Sequence, residues 1–240
     1  MIELNKIYNE DFKNGIKLIK DKSIKLVITD PPYLHEKGGR GKMLLCETLD
    51  REQFNIKECG SFDENDIYNF LNLTKPLMAN PQWYIFCSEK QIVYYLKWCL
   101  ENKLKYNILT MNKPLSVINR ERYSTNIEYI IRIYSNGCAL NKIDLQVNKD
   151  KTWYYSKYKE YKKPKNKTHP AQKPIDILIS YIELSSNEND LILDPFMGSG
   201  TTAEACINTH RNFIGFDNGV DEKSGRCWAD IANDRIKNIK

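Results

Sequence analysis

The hydrophobic positions of this chain form short apolar runs that alternate with amphipathic segments. The run over residues 24–29 is almost continuously apolar, which is typical of a strand in a parallel sheet covered on both faces. Between such runs, apolar residues recur three or four positions apart, and this spacing predicts helices. The pattern predicts strands over residues 2–8, 24–29, 83–87, 106–111, 127–134, 191–193 and 212–216. It predicts helices over residues 12–20, 66–77, 89–100, 175–184 and 229–239, and another that begins at Thr201.

The alternation of strands and helices predicts a doubly wound α/β fold with a mostly parallel sheet. A chain of 240 residues fits one compact domain, and we assign residues 1–240 to it. Residues 43–63 show no clear periodicity and receive no predicted element. The sequence has neither an apolar signal segment at Met1 nor an apolar run of membrane length, so we expect a cytoplasmic protein without a membrane partner.

Positive charge is concentrated in a polar insert at about residues 136–168. The formal net charge is only +5, but residues 151–173 contain eight lysines, a single acid and several interleaved aromatic residues. Lysines neutralise phosphates and aromatic rings stack on bases, so this pattern predicts contact with nucleic acid; a solvated charged loop is the alternative. The predicted contacts are Trp153, Tyr155, Lys157, Lys159, Lys162 and Lys163. A second candidate is the Gly-rich stretch 35–42, with Lys37, Arg40 and Lys42.

The cysteines predict packing rather than chemistry. There are seven of them, an odd number, and no two have the two-residue gap of a zinc or redox motif. Several lie within apolar runs, as reduced core thiols do. We therefore predict no metal site.

A glycine-rich turn follows one of the predicted strands. Residues 194–202 read Asp-Pro-Phe-Met-Gly-Ser-Gly-Thr-Thr, in which Gly198 and Gly200 allow the backbone to approach a ligand closely. The helix that follows opens with free backbone donors, and Asp217 at the end of the next strand can accept ribose hydroxyls. The turn therefore predicts a site for a nucleotide-like cofactor. It also satisfies the loose fingerprint of a dinucleotide oxidoreductase, but that alternative gives no role to residues 30–33.

Residues 30–33, Asp-Pro-Pro-Tyr, follow the apolar run that ends at Thr29. Ligands of open α/β sheets bind at such strand ends. Asp30 can accept one N–H of an exocyclic amine and the Pro31 carbonyl the other, while the prolines fix φ and so the direction of both acceptors. Tyr33 offers a flat face on which a base can stack. Beside a cofactor turn, these residues predict methyl transfer to an exocyclic amine of a nucleic-acid base; a plain Pro-Pro turn with a packing tyrosine is the alternative.

Together the two motifs resemble those of the S-adenosylmethionine-dependent amino methyltransferases of DNA, which modify N6 of adenine or N4 of cytosine. The catalytic motif precedes the cofactor motif, an order that resembles the circularly permuted beta class. Residues 7–11, 169–174 and 213–217 are similar to three further motifs of that family. The resemblance implies a Rossmann-like methyltransferase sheet of seven strands, one of them antiparallel, in which the N-terminal strand lies beside the strand that ends at Asp217.

The resemblance also implies roles for individual residues. It assigns catalysis to Asp30, Pro31, Pro32 and Tyr33. It assigns binding of the cofactor S-adenosylmethionine to Asp11, Phe12, His169, Lys173, Asp194, Phe196, Gly198, Ser199, Gly200, Thr201 and Asp217. For Asp11, capping of the following helix is the alternative. The basic insert corresponds to the target-recognition region of the family.

The first residue of the catalytic motif bears on the substrate. In the resembled family an Asp at this position is associated with adenine, whereas cytosine-N4 enzymes more often have Ser. We therefore expect methylation of N6 of adenine in double-stranded DNA, with the base flipped out of the duplex. Cytosine N4, RNA as the substrate, and a non-catalytic cofactor-dependent DNA-binding protein stay open as alternatives. A homodimer and a cognate restriction enzyme are further partners that the resemblance allows.

Overall fold

The computed structural model of the chain describes residues 2–34, 62–112, 127–141, 172–222, 224–237 and 239, together with the backbone of residues 158–160. Several predicted site residues lie outside these ranges. They are His169, Lys37, Arg40 and Lys42, and, in the insert, Trp153, Tyr155, Lys157, Lys162 and Lys163. The side chain of Lys159 also lies outside the described part of the chain.

Every predicted strand and helix corresponds to an element of the structure. The strands are β1 (Lys6–Tyr8), β2 (Leu26–Thr29), β3 (Gln82–Cys87), β4 (Lys105–Asn112), β5 (Ile127–Tyr134), β6 (Tyr158–Glu160), β7 (Leu191–Asp194), β8 (Asn212–Phe216), β9 (Val220–Asp221) and β10 (Arg226–Cys227). The helices are α1 (Phe12–Gly15), α2 (Glu64–Thr74), α3 (Ile92–Glu101), α4 (Ile175–Ser185), α5 (Thr201–Asn208) and α6 (Trp228–Lys237).

The main sheet has the strand order β1-β8-β7-β2-β3-β5-β4-β6. Strand β5 runs antiparallel to both of its neighbours, and the other pairs are parallel. Seven of these strands form the mostly parallel sheet with one antiparallel strand that the family resemblance implies. The eighth, β6, is a three-residue strand of the basic insert that pairs with the end of β4. Strands β9 and β10 form a separate two-stranded sheet.

The N-terminal strand lies where the permuted motif order predicts. Strand β1 pairs in parallel with β8, with Ile7 opposite Gly215 and Tyr8 opposite Phe216. The backbone N–H of Asn5 donates to the Phe213 carbonyl at 2.7 Å just before this pairing begins. The permutation therefore changes the order of the motifs along the chain, but the strands that carry them are still neighbours in the sheet.

Helices cover both faces of the sheet. The first three helices pack on one face, around the fully buried Phe70 and Trp83, and the last three pack on the other, around Ile182 and Phe213. Strands β2 and β3 are buried along their whole length, which is why residues 24–29 are almost continuously apolar. Burial of each large apolar side chain stabilises the fold by about 1.5–3 kcal/mol.

Local capping decides where helices begin and end. Helix α2 begins earlier than the hydrophobic pattern predicts, because Asp63 forms a capping box with the residue three positions on. Its last predicted turn, Lys75–Leu77, is a 3₁₀ turn, because Pro76 cannot donate an α-helical hydrogen bond. In the described part of the chain, no helix combines the length and the apolar character needed to cross a membrane.

The carboxyl ends of four neighbouring parallel strands lie at one edge of the sheet. Strands β1, β8, β7 and β2 are adjacent in that order, and an aspartate ends or follows each of them. These residues are Asp11, Asp217, Asp194 and Asp30. Since ligands of open α/β sheets bind at this edge, the fold brings the two predicted motifs to one place.

Candidate active site

Asp30 has one carboxylate oxygen engaged and one without a partner. Its Oδ2 accepts a hydrogen bond from Nζ of Lys173 at 2.9 Å. Its Oδ1 is buried and has no hydrogen-bond partner among the described residues. An unsatisfied buried acceptor is costly and uncommon in folded proteins, so this oxygen marks a position where a ligand can donate an N–H.

Lys173 and Glu128 complete this corner of the sheet. Besides Asp30, the Lys173 ammonium contacts the Glu128 carboxylate and donates to the Tyr33 hydroxyl at 3.1 Å. The Tyr33 hydroxyl in turn donates to the same Glu128 oxygen. We call Asp30, Tyr33, Glu128 and Lys173 the acid corner. Lys173 was also predicted to contact the cofactor; the structure shows its ammonium against Asp30 and Glu128, and the contact with a cofactor stays a prediction.

Glu128 was not predicted from the sequence. It is the acid of β5, a strand whose sequence is otherwise mostly apolar or aromatic, and only 5% of its surface is exposed. Acids are almost never fully buried unless they are paired, so an acid in a strand of this composition was a usable signal. The identity of its partner could not be read from the sequence, since Tyr33 lies 95 residues away along the chain.

Burial and the two carboxylates determine the charges in the acid corner. Burial raises the pKa of Asp30; the Lys173 ammonium opposes this effect and the Glu128 carboxylate adds to it. Burial alone would lower the pKa of Lys173, but the carboxylates of Asp30 and Glu128 outweigh it and raise that pKa. Burial, with Asp30 and Glu128, raises the pKa of Tyr33 well above its ordinary value. Lys173 is therefore charged and Tyr33 is a neutral donor at neutral pH.

A buried glutamine holds the backbone of the catalytic motif. Nε2 of Gln91 donates to the Pro32 carbonyl at 3.1 Å and to the Phe62 carbonyl at 3.0 Å. The oxygen of the same amide accepts from the backbone N–H of Ser88 at 3.1 Å. Gln91 therefore joins the catalytic motif to the segments that precede α2 and α3. It was also missed by the sequence analysis, because nothing in its local pattern distinguishes it from a helix-start residue.

The carboxylate of Asp194 accepts hydrogen bonds from neighbouring groups of the protein. Its Oδ1 accepts from the Thr29 hydroxyl at 2.5 Å and from the Phe196 N–H at 3.1 Å, and its Oδ2 accepts from the Thr202 hydroxyl at 2.5 Å. Burial raises the pKa of this carboxyl to about 6, although the hydrogen bonds oppose the shift. Asp194 therefore holds the turn in place, and its predicted contact with a cofactor stays a prediction.

The glycines of the turn permit its backbone conformation. Gly198 and Gly200 have φ of +53° and +82°. A Cβ on Gly200 would lie 3.0 Å from Cβ of Ala232 in α6. The neighbouring Ser199 and Thr201, both predicted cofactor contacts, are buried, and the Ser199 carbonyl accepts from Arg235 of α6 at 2.9 Å. The predicted contacts of these two residues with a cofactor stay predictions.

An open cleft of about 180 Å³ joins the two motifs. Pro32 of the catalytic motif lines it, as do Phe196 of the turn and Asp217 after β8. The Phe196 ring packs against Phe12 and Phe62, with centroid separations of 4.9 and 5.3 Å, so aromatic rings form one wall. The cleft therefore combines an apolar aromatic surface with carboxylates.

Two of the three acids predicted for the cofactor site, Asp11 and Asp217, line this cleft. Asp217 accepts from the N–H of Gly198 at 2.8 Å and of Gly219 at 2.9 Å; burial raises its pKa, and these bonds oppose the shift. Asp11 accepts from the N–H of Lys13 at 2.8 Å, so it does cap α1, as the alternative interpretation predicts. It also faces the cleft, so the two roles are compatible.

Comparisons with known proteins agree on one family. The family profile described as DNA methylase, of the N6/N4 type, matches residues 24–223. The chain is 30% identical over 248 residues to the type II methyltransferase M2.MboI of Moraxella bovis, with 94% of this chain and 88% of that protein covered. It is 27% identical over 252 residues to the DNA adenine methyltransferase YhdJ of Escherichia coli strain K12, with 96% of this chain and 84% of that protein covered. The solved structure of the M1.HpyAVI–SAM complex matches with a TM-score of 0.65 at 26% identity, covering 96% of this chain and 98% of that one.

Proposed function

Because the chain belongs to the DNA methylase family of N6- and N4-amino methyltransferases, we propose that it methylates N6 of adenine in double-stranded DNA. The observation that carries this proposal is the buried Oδ1 of Asp30, which has no partner among the described residues and belongs to the motif whose Pro32 lines the cleft. The Asp at the first position of the catalytic motif supports adenine over cytosine. So does the similarity to YhdJ, which is named as an adenine enzyme.

S-adenosylmethionine is the methyl donor of this family, and when bound it supplies a methyl group on a positively charged sulfonium. The cleft suits such a molecule. The rings of Phe12 and Phe196 offer an apolar surface for an adenine base, and Asp217 offers a carboxylate for ribose hydroxyls. Asp11 and Glu10 add negative charge, which favours a cationic ligand.

The acid corner acts on the target amine. The exocyclic nitrogen of adenine is a poor nucleophile because its lone pair is delocalised into the ring. In this proposal Asp30 Oδ1 accepts one N–H and the Pro31 carbonyl accepts the other, which draws the nitrogen toward tetrahedral geometry and stabilises its developing positive charge. The proton that the methylated nitrogen loses passes to Asp30 Oδ1. The ring of Tyr33 stacks on the base, and its anchored hydroxyl fixes the plane of that ring.

The amine of a paired adenine cannot be reached in line with a methyl donor. The base therefore has to leave the duplex, at a cost of a few kcal/mol. We assign contact with the surrounding DNA to the basic insert and to the stretch 35–42, on the strength of their lysines and aromatic residues. The type II designation of M2.MboI supports a role in restriction–modification.

The decisive experiment identifies the product. The protein is incubated with S-adenosylmethionine and unmethylated genomic DNA, and the digested nucleosides are analysed by mass spectrometry. N6-methyladenine supports the proposal. N4-methylcytosine overturns the choice of base. Neither product, with cofactor binding intact, overturns the activity on DNA, and structured RNA offered in competition then tests the RNA alternative.

A substitution connects the product to the site. Asp30→Ala should lower kcat by at least about 100-fold, since it removes a preorganised group at the reacting nitrogen. Cofactor affinity, measured by calorimetry, should change little. Asp21→Ala is the matched control, because Asp21 is an exposed aspartate outside the cleft. Full turnover by Asp30→Ala would remove Asp30 from the mechanism.

A further inference from the structure

Three charged groups of the acid corner come from three separate segments of the chain. Asp30 follows β2, Glu128 lies in β5, and Lys173 precedes α4. The exposed fractions of the Lys173, Asp30 and Glu128 side chains are 13%, 23% and 4%. Lys173 contacts both carboxylates, so it has two counter-ions in a site with little access to water. The three charged groups are therefore held in fixed positions. They differ from an exposed ion pair, which contributes little to stability.

Among the residues that the structure describes, the charges of this cluster do not cancel. Two carboxylates and one ammonium leave one net negative charge. If Lys173 had only Asp30 as a partner, the corner would be neutral and could not stabilise a cationic amine by its charge. Because Glu128 balances the ammonium, Lys173 can orient Asp30 through Oδ2 without cancelling the charge that acts through Oδ1.

We propose that Glu128 and Lys173 are positioning residues that together orient Asp30 and preserve the negative charge of the acid corner for the target amine. This inference rests on the proposed methyl transfer, and it assigns no contact with the substrate to either residue. Glu128 has a second function in this arrangement, since it also accepts a hydrogen bond from the Tyr33 hydroxyl. One carboxylate thereby sets both the charge beside Asp30 and the position of the ring that faces the base.

Other ionisable groups also lie near Asp30. Burial raises the pKa values of Tyr33, Tyr95 and Cys87, so these three are neutral at neutral pH. Asp194 of β7 has a carboxyl with a pKa of about 6 and adds a second titration in the acidic range. It is unchanged in every variant proposed below, so differences between variants report on Glu128 and Lys173.

The test is the dependence of single-turnover methylation rate on pH, with saturating S-adenosylmethionine and DNA. Methylation requires ionised Asp30, whose pKa is raised by Glu128 and lowered by Lys173. Glu128→Gln should therefore move the acidic limb of the profile to lower pH, and Lys173→Met should move it to higher pH. At its own optimum each variant should be slower than wild type by at least about tenfold.

The double variant separates charge from shape. Glu128→Gln with Lys173→Met restores one net negative charge, so its acidic limb should lie between those of the single variants. Its rate loss should be smaller than the product of the two single losses. Lys173→Arg keeps the positive charge and should retain a profile close to that of wild type. Glu64→Gln and Lys97→Met are matched controls, because this Glu–Lys pair is exposed on α2 and α3.

The outcomes are distinguishable. The inference is overturned if the acidic limbs of the folded variants move in the same direction or do not move. In that case methylation by the wild-type protein still upholds the proposed function. A loss of cofactor affinity in Lys173→Met that matches its rate loss makes Lys173 a cofactor ligand and also overturns it. If Glu128→Gln does not fold, Lys173→Met and Lys173→Arg still test the direction of the shift. A wild-type protein without methylated product refutes the proposed function itself.

Discussion

The Thr29 hydroxyl donates a 2.5 Å hydrogen bond to Oδ1 of Asp194, although the two residues lie 165 positions apart along the chain. Thr29 is the last residue of β2, immediately before the catalytic motif, and Asp194 is the last residue of β7, at the start of the cofactor turn. Both residues are buried. This bond therefore fixes the catalytic motif and the cofactor turn relative to each other.

Replacement of that hydroxyl tests the connection. Thr29→Val keeps the shape of the side chain but leaves one Asp194 oxygen with fewer donors, so the free energy of unfolding should fall by about 1–3 kcal/mol. Cofactor affinity should weaken as well, because the turn loses one of its attachments. Urea unfolding and calorimetry measure the two effects. Thr29→Ser, which keeps the hydroxyl, is the control, and equal losses in both variants would assign the effect to packing.

The conformation of Gly200 predicts a second effect. Gly200→Ala introduces a Cβ at a φ of +82°, 3.0 Å from Cβ of Ala232. The left-handed backbone alone should cost about 1–2 kcal/mol, and the contact with α6 should add to it. Gly225→Ala is the matched control, because its φ is +69° and no atom lies within 4 Å of the added Cβ. Denaturant unfolding measures the free energy of unfolding that each variant loses, and the difference between the two losses is the cost of the contact with α6. Equal losses would show that α6 moves away from the added Cβ without cost.

The raised pKa of Asp194 predicts how stability responds to pH. Its carboxyl shifts from 3.8 to about 6 on folding, so the folded protein binds this proton more tightly and protonation stabilises it. As pH falls from neutral through 6 toward 4, Asp194 should therefore add stability, by up to about 3 kcal/mol at about 1.4 kcal/mol per pKa unit. Other carboxyls titrate in the same range. The quantity to measure is thus the unfolding free energy of wild type minus that of Asp194→Asn. This difference should increase as the pH falls. A difference independent of pH would contradict the shift.

The basic insert predicts a dependence on salt. Simultaneous replacement of Lys157, Lys162 and Lys163 by Ala should weaken DNA binding and reduce the slope of log affinity against log salt by about 0.9 for each phosphate that the insert no longer neutralises. Cofactor affinity should be unchanged. The control replaces three exposed lysines outside the insert, Lys17, Lys20 and Lys25. Equal effects of the two triple variants would mean that the insert acts through the overall charge alone.

Much of the site could be predicted because its signals are local. Each of the two motifs follows an apolar run directly; proline restricts the backbone of the first, and glycine permits the tight turn of the second. The position of Asp217 at the cleft, and of Phe12 and Phe196 in its aromatic wall, also follows from strand ends that meet at one edge. Spacing could not tell which residues of the turn are buried. Ser199 and Thr201 belong to the motif and are buried, and their predicted contact with a cofactor stays a prediction.

The sequence by itself determined the α/β class, the order of the elements and the two motifs, because hydrophobic period and backbone restrictions act over a few residues. Tertiary structure alone decided which side chains share the acid corner. Lys173 lies 45 residues from Glu128 and 140 from Tyr33, and only the pairing of β5 with its neighbours and the approach of α4 bring them together. Contacts of such separation depend on strand order and helix packing, which the local pattern does not encode residue by residue. That is why the contact of Lys173 with Asp30 and the presence of Glu128 in the corner were not expected from the sequence.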